Sequence, residues 1–163
     1  REFAYRDLLT GLHNRRSYVD HFAKYLDFVA RSRGDDVGVF IIVTDIDLFK
    51  NVNDQHGHEA GDDVLMSFSN LLSSTIRPSD GLYRYGGEEF VALLLETGEA
   101  DAIQVAEDIR NAVHAADVAP TLKTTVSIGV CDVTQANSIE HWLSQCDRAL
   151  YQAKAFGRNQ VVA

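Results

Sequence analysis

From Val37 to Thr44 the chain is an almost unbroken apolar, β-branched run that stops at Asp45-Ile46-Asp47. Such a run buries both of its faces, as a central strand of an α/β sheet does. Before it, a turn at Gly11 leads into a helix expected to reach about Arg33, with Tyr18, Phe22, Tyr25, Leu26 and Val29 at helical spacing. Gly34-Asp35-Asp36 separates that helix from the strand. Leu48 to Asn53 reads as a short helix and Gln55 to Gly61 as a loop. A second helix follows from roughly Asp62 to Ile76, its inner face made of Val64, Leu65, Phe68, Leu71 and Leu72. Two strand-like runs, Gly81 to Tyr85 and Phe90 to Leu95, flank Gly86-Gly87 and predict a tight hairpin with φ > 0 at its glycines. A helix from about Glu99 to Ala115 and a strand from about Leu122 to Asp132 come next. The pair Asn137 and Glu140 then opens a helix from Ser138 to about Phe156, Gly157 stops it, and Arg158 to Val162 forms a last strand. This order predicts an α/β fold with a mixed central β-sheet flanked by helices, a single domain over 1–163.

Composition narrows the classes. At 163 residues, 45% hydrophobic and 24% charged, the chain can bury a sizeable core. A net charge of −9 disfavours nonspecific binding of nucleic acid, so an anionic ligand needs metal ions and a few local cations to attract it. Cys131 and Cys146 show no pairing pattern, which points to a reducing, cytoplasmic setting, and no apolar run is long enough to span a membrane. Beginning at Arg1 rather than Met, the chain reads as part of a longer regulated protein, with residues 1–9 continuing an upstream linker helix.

The candidate chemistry gathers where the strands end. Glu88 and Glu89 start the second hairpin strand, and consecutive strand residues face opposite ways, so one carboxylate can face a site beside the sheet. Asp45 leaves the central strand at a sheet end, where α/β proteins usually hold ligands. Two carboxylates, a backbone carbonyl, phosphate oxygens and water make the hard-oxygen set that Mg²⁺ prefers. Asp47 reads instead as a strand-end turn or helix cap. His56 and His58 have no third ligand nearby and read as loop contacts, and the stripe Trp142, Ala149, Leu150 and Ala153 reads as core.

Several motifs, taken together, resemble one family. They are Tyr85-Gly86-Gly87-Glu88-Glu89-Phe90, Asp45-Ile46-Asp47-Leu48-Phe49-Lys50, Asn53-Asp54 with Gly57-His58 and Gly61-Asp62, the opening Asp7–Arg16 run, Ser127-Ile128-Gly129-Val130, and the closing Asp147, Ala149-Leu150-Tyr151, Ala153-Lys154 and Gly157-Arg158-Asn159. In order and from about Asp7 to the end, they are similar to the GGDEF diguanylate cyclases, here in a Gly-Gly-Glu-Glu-Phe variant. The resemblance implies a fold like adenylyl cyclases and polymerase palms, and condensation of two GTP into cyclic di-GMP with loss of two pyrophosphates. It implies that Asp45, Glu88 and the carbonyl of Ile46 hold two Mg²⁺ (or Mn²⁺) ions per active site. Glu89 then either assists deprotonation of the ribose 3′-OH or orders the metal shell.

The same resemblance makes Asn53 and Asp62 guanine readers, although Asp62 also suits a helix cap. It places the triphosphate against the helix start at Phe49 and Lys50, whose free N–H groups attract anions, and against Lys154 and Arg158. Cations there also suit a helix C-terminus on dipole grounds alone. Catalysis implies a homodimer, because a two-fold product needs two sites facing each other. Arg77-Pro78-Ser79-Asp80 matches the family's RxxD inhibitory site for cyclic di-GMP, since arginine can grip a guanine edge. The family often adds a second arginine from the next helix; here that region offers Asp108 and Arg110. The competing reading is a regulatory module that binds GTP or cyclic di-GMP without synthesis.

Overall fold

The computed structural model describes residues 4–31, 38–115, 123–134 and 138–163, without the side chains of 28–30 and 139. In chain order its elements are β1 (His13–Asn14), α1 (Arg15–Arg31), β2 (Phe40–Ile46), α2 (Phe49–His56), α3 (His58–Thr75), β3 (Gly81–Arg84), β4 (Glu89–Leu94), α4 (Glu99–Ala115), β5 (Val126–Asp132), α5 (Ile139–Ala155) and β6 (Val161–Val162). They build one six-stranded sheet in the order β1-β3-β4-β2-β5-β6. β2 runs antiparallel to both β4 and β5, while β1–β3 and β5–β6 pair in parallel, so the sheet is mixed as its pattern implies.

All seven residues of β2 are buried, and its alternate side chains feed two different cores. Phe40, Ile42 and Ile46 pack with Phe90, Ala92, Leu94, Ile128 and Val130 against α2, α3 and α4. Ile41 and Val43 pack with Val91, Leu93 and Cys131 against Tyr18 and Phe22 of α1 and Trp142, Ala149 and Leu150 of α5. The helices thus form a layer on each face of the sheet. Trp142, Ala149, Leu150 and Ala153 are all buried, as a core stripe requires. The side chain of Val29, together with Arg33, Val37, Leu122 and the cap at Asn137, lies outside the described residues. The cap seen on α5 is Ser138, whose hydroxyl accepts the His141 N–H at 3.2 Å. Among the described residues no helix is long and apolar enough to cross a membrane.

Two expectations are corrected. No loop runs from Gln55 to Gly61: α2 continues to His56, α3 begins at His58, and Gly57 alone joins them. Its backbone, φ 88° and ψ 167°, suits glycine, so one residue turns the corner that a loop was expected to span. The hairpin is not a two-residue turn either. Arg84 pairs with Phe90, and the N–H groups of Tyr85 (2.8 Å) and Gly86 (3.2 Å) both donate to the Glu89 carbonyl. In this longer loop neither Gly86 nor Gly87 takes a left-handed φ.

β5 lies very close to α5 at Gly129. A methyl added there would stand 2.8 Å from the Leu150 nitrogen and 3.0 Å from the Cys146 oxygen, backbone atoms that a side-chain rotation cannot move. Gly129→Ala should therefore destabilise the fold by about 1–3 kcal/mol, the usual cost of overpacking a core. Urea denaturation measures it, and a midpoint equal to that of the unmodified chain would show that α5 can move away freely.

Candidate active site

The end of β2 carries two aspartates with opposite surroundings. Asp47 is buried and fully bonded: it accepts from Thr125 Oγ1 (2.7 Å), Ser127 Oγ (2.6 Å) and the Asn159 N–H (3.0 Å). It caps no helix; it ties the end of β2 to β5 and to the turn after α5. Asp45 is 4% exposed and meets one cation, the Lys154 ammonium of α5, at 2.5 Å. Directly opposite Asp45 on β4 is Glu89, so the two carboxylates share one face, their Cβ atoms about 5 Å apart. Glu88 sits one residue earlier in the bend, where its carbonyl accepts the Ile46 N–H at 3.3 Å.

Burial pushes the Asp45 carboxyl above its ordinary range; Lys154 pulls it partly back, and Glu88 and Asp47 add to the rise. Glu89 is raised the same way, by burial first and then by Asp45 and Asp147, with Lys154 opposing. Asp147 on α5 thus adds its negative charge to the field at Glu89, an effect the sequence reading did not give it. Among the described residues no three His, Cys, Asp or Glu side chains close into a metal cage. Two carboxylates, the Ile46 carbonyl and phosphate oxygens do not need one. A buried aspartate facing a half-buried glutamate, with one ammonium beside them among the described residues, is short of positive charge, and a hard divalent cation fits that deficit.

The first glycine of the hairpin faces this cluster. A side chain at Gly86 would come 3.4 Å from Glu89 Oε2, so its absence leaves the Glu89 carboxylate open on that side, whereas a side chain at Gly87 would meet nothing within 4 Å. The loop is held from below by Arg84, which donates to the Gly87 carbonyl (2.8 Å) and to both oxygens of Asp7 (3.1 and 3.0 Å). Asp7 is itself fixed by the Thr10 amide and hydroxyl. The sequence reading missed this link, although both ends of it lie inside motifs it quoted.

The remaining candidates surround the strand end. Leu48 has φ 55° and ψ 33°, a strained left-handed leucine that is 55% exposed and starts α2 without a side-chain cap. Phe49 and Lys50 thus precede the first helical bonds, which Asn51 and Val52 donate to the Leu48 carbonyl, and their own N–H groups are free of them. Asn53 (α2) and Asp62 (α3) stand on either side of the Gly57 corner; Asp62 lies inside α3 and does not cap it. After α5, the Arg158 N–H bonds Ala153 O and the Gly157 N–H bonds Lys154 O, a Schellman stop with Gly157 at φ 117°. Arg158 (φ 64°) and Asn159 (φ 47°) continue left-handed, which turns the Asn159 amide onto Asp47 and leaves Arg158 exposed.

Arg77 and Asp80 form a separate, bidentate pair at 2.9 and 3.1 Å, and Arg77 also donates to Leu95 O (2.6 Å) and Thr97 Oγ1 (2.9 Å). They line a cavity of about 210 Å³ with Glu96, Thr97 and Asp101. From α4 this cavity receives Asp101 and Val105; Arg110 instead bonds Glu107 (2.8 Å) and Asn159 (3.4 Å), and Asp108 bonds Gln104 (2.8 Å).

Residues 4–160 match the family model described as "Diguanylate cyclase, GGDEF domain". The chain belongs to the GGDEF family. Response regulator PleD of Caulobacter vibrioides is 43% identical over 167 residues, covering 99% of this chain and 36% of that protein. Diguanylate cyclase DgcM of Escherichia coli is 39% identical over 160 residues, covering 98% and 38% respectively. The chain therefore spans little more than a third of the length of these relatives. Among solved structures, the GGDEF domain of DgcB from Caulobacter crescentus in complex with c-di-GMP superposes with a TM-score of 0.88 at 30% identity, covering 100% of this chain and 97% of that one. The acidic cluster, the hairpin loop and the start of α2 all lie within the residues matched by that family model.

The raised acids of this GGDEF domain have a measurable cost. Glu89 binds its proton more tightly folded than unfolded, so it lowers stability as pH rises above the ordinary glutamate value of 4.5. With a chelator present to exclude divalent ions, Glu89→Gln should raise Tm at neutral pH, and the gain should shrink as pH falls toward 4.5. A variant less stable than the parent at neutral pH would show that Glu89 is already compensated without a cation.

Proposed function

We propose that this domain is a diguanylate cyclase, joining two GTP molecules into cyclic di-GMP and releasing two pyrophosphates. The observation that carries this reading is the meeting of Asp45 and Glu89 across the β2–β4 ladder, beside Glu88, Lys154 and the open start of α2. Asp45, Glu88 and the Ile46 carbonyl would hold two Mg²⁺ or Mn²⁺ ions, and the register supports Glu89 as a further ligand. When bound, the ions acidify the attacking 3′-OH and neutralise charge on the departing pyrophosphate. The free amides at Phe49 and Lys50, with the cations of Lys154 and Arg158, bind and orient the triphosphate. Lys154 is held by Asp45 in this structure, and its ammonium would be free to turn toward the phosphates where a divalent ion took its place on that carboxylate. Asp62 offers acceptors to the N–H groups of guanine's Watson–Crick edge, and Asn53 reads the base beside it.

In each bond-forming step a ribose 3′-oxygen attacks the α-phosphorus of the other nucleotide. The P–O bond to pyrophosphate breaks, and the hydroxyl proton goes to a nearby base, a role Glu89 would take in place of metal ligation. A single site holds one GTP, so two domains face each other across a two-fold axis. Incubating the domain with Mg²⁺ and GTP and separating the nucleotides should give cyclic di-GMP, with specific activity rising with protein concentration. Asp45→Ala and Glu88→Ala should each lower turnover by about 10²-fold or more, the scale seen when charge stabilisation at a reacting centre is lost. Wild-type turnover in either variant would overturn the assignment. GTP binding without product in the unmodified domain would favour the regulatory module instead.

The Arg77–Asp80 loop is proposed as a site for the product. Its guanidinium can stack on and pair with a guanine edge once the contacts to Leu95 O and Thr97 yield. The acids Glu96 and Asp101 and the engagement of Arg110 elsewhere favour weak binding. Calorimetric titration with cyclic di-GMP in the absence of GTP should show binding that Arg77→Ala removes and Glu88→Ala retains. Equal affinity in Arg77→Ala would leave the loop as a simple turn.

A further inference from the structure

Gly61 is buried in the first turns of α3, a position where glycine is among the weakest helix formers, and neither turn geometry nor a positive φ calls for it there. What it does meet is Asn53. A methyl built on Gly61 would overlap Asn53 Oδ1 and lie 3.0 Å from Asn53 Cγ and 3.2 Å from Phe49 Cζ. α2 and α3 are joined by the single residue Gly57, which limits how far the two helices can part to make room. The atom that must give way is the end of the Asn53 side chain, which can rotate about χ1 and χ2 without disturbing the fold.

We infer that Gly61 is a positioning residue for base recognition: its missing side chain is the seat that holds the Asn53 amide in the corner between α2 and α3, beside Asp62. The inference rests on the proposed reading of Asn53 as a contact to guanine. Phe49, whose ring closes the same corner, is the first residue of the helix start proposed for the phosphates, so the seat fixes the base contact relative to the phosphate contact. Adding one methyl should then misplace the amide while leaving the helix intact, or more stable, because alanine is the better helix former.

The test measures GTP affinity with Mg²⁺ for the unmodified domain, Gly61→Ala, Asn53→Ala and the double variant, together with the Tm of each. The expected result is a loss of about tenfold in Gly61→Ala, one good hydrogen-bonded contact, with Tm unchanged or raised. In the Asn53→Ala background Gly61→Ala should cause no further loss, because the group it displaces is already gone. Equal losses in both backgrounds, or a fall in Tm, would make Gly61 a general packing requirement and overturn the inference. Wild-type affinity in Gly61→Ala, with a loss in Asn53→Ala, would overturn the role of Gly61 alone. Wild-type affinity in Asn53→Ala would remove the guanine reading on which the role depends.

Discussion

The structure depends on β2 being buried on both faces. Ile41 and Val43 belong to one core and Ile42 and Ile46 to the other, so a slip of one residue would exchange two sets of differently shaped packing partners. It would also turn Asp45 toward the α2–α4 layer, away from Lys154. Register is therefore set by the whole strand, and Asp45 takes its position from that register. Glu89 follows, since the β2–β4 ladder places it opposite Asp45, and Ser127 is placed on the other side by the β2–β5 ladder. The site needs carboxylates held to within a fraction of an ångström, and the densely packed strand beneath supplies that precision.

Much of this was legible because it is written in periodicity. The unbroken run before Asp45 marks the central strand, and the spacing of Phe68 and Leu72, or of Trp142 and Leu150, marks the buried helix faces. What periodicity does not carry is contact between distant segments. That Glu89 and not Glu88 stands opposite Asp45 depends on where β4 begins, which the four-residue loop shifts from the expected two-residue turn. The Gly-Gly pair was read for its backbone freedom, whereas in the fold Gly86 matters for the space it leaves in front of Glu89. Gln55 to Gly61 is polar enough to read as a loop, yet a helix can end and restart at one glycine, so only Gly57 leaves helical geometry. Gly61 gives no signal of its own, since the residue it accommodates lies in another helix.

Asp45 and Asp47 show how environment divides two identical side chains. Both are nearly buried, two residues apart at the same strand end. Asp47 receives two hydroxyl donors and a backbone amide, enough to satisfy a charged carboxylate out of water, so it acts as a clasp. Asp45 receives one ammonium and faces two further carboxylates. A charge buried with so little compensation is retained against stability, which is the usual mark of a site that expects a ligand. The distinction cannot be drawn from the Asp-Ile-Asp triplet, because every donor to Asp47 comes from about eighty or more residues away along the chain.

The hairpin needs the same kind of support, and receives it from the opposite end of the chain. A loop with two glycines and no left-handed residue has little intrinsic rigidity, yet Glu88 and Glu89 must be held still. Arg84 resolves this by bonding the Gly87 carbonyl with one arm and Asp7 with the other, while Asp7 is locked by Thr10. The guanidinium's planar fork suits such a bridge better than an ammonium would, since it can address two partners in fixed directions at once. The turn at residues 7–12 and the loop at 85–88 are thereby parts of one bonded unit. Asp7 and Gly87 thus share one planar partner, so the loop that leads into Glu88 is braced from the start of the chain, while Glu89 is also held by its pairing with Asp45 in the ladder.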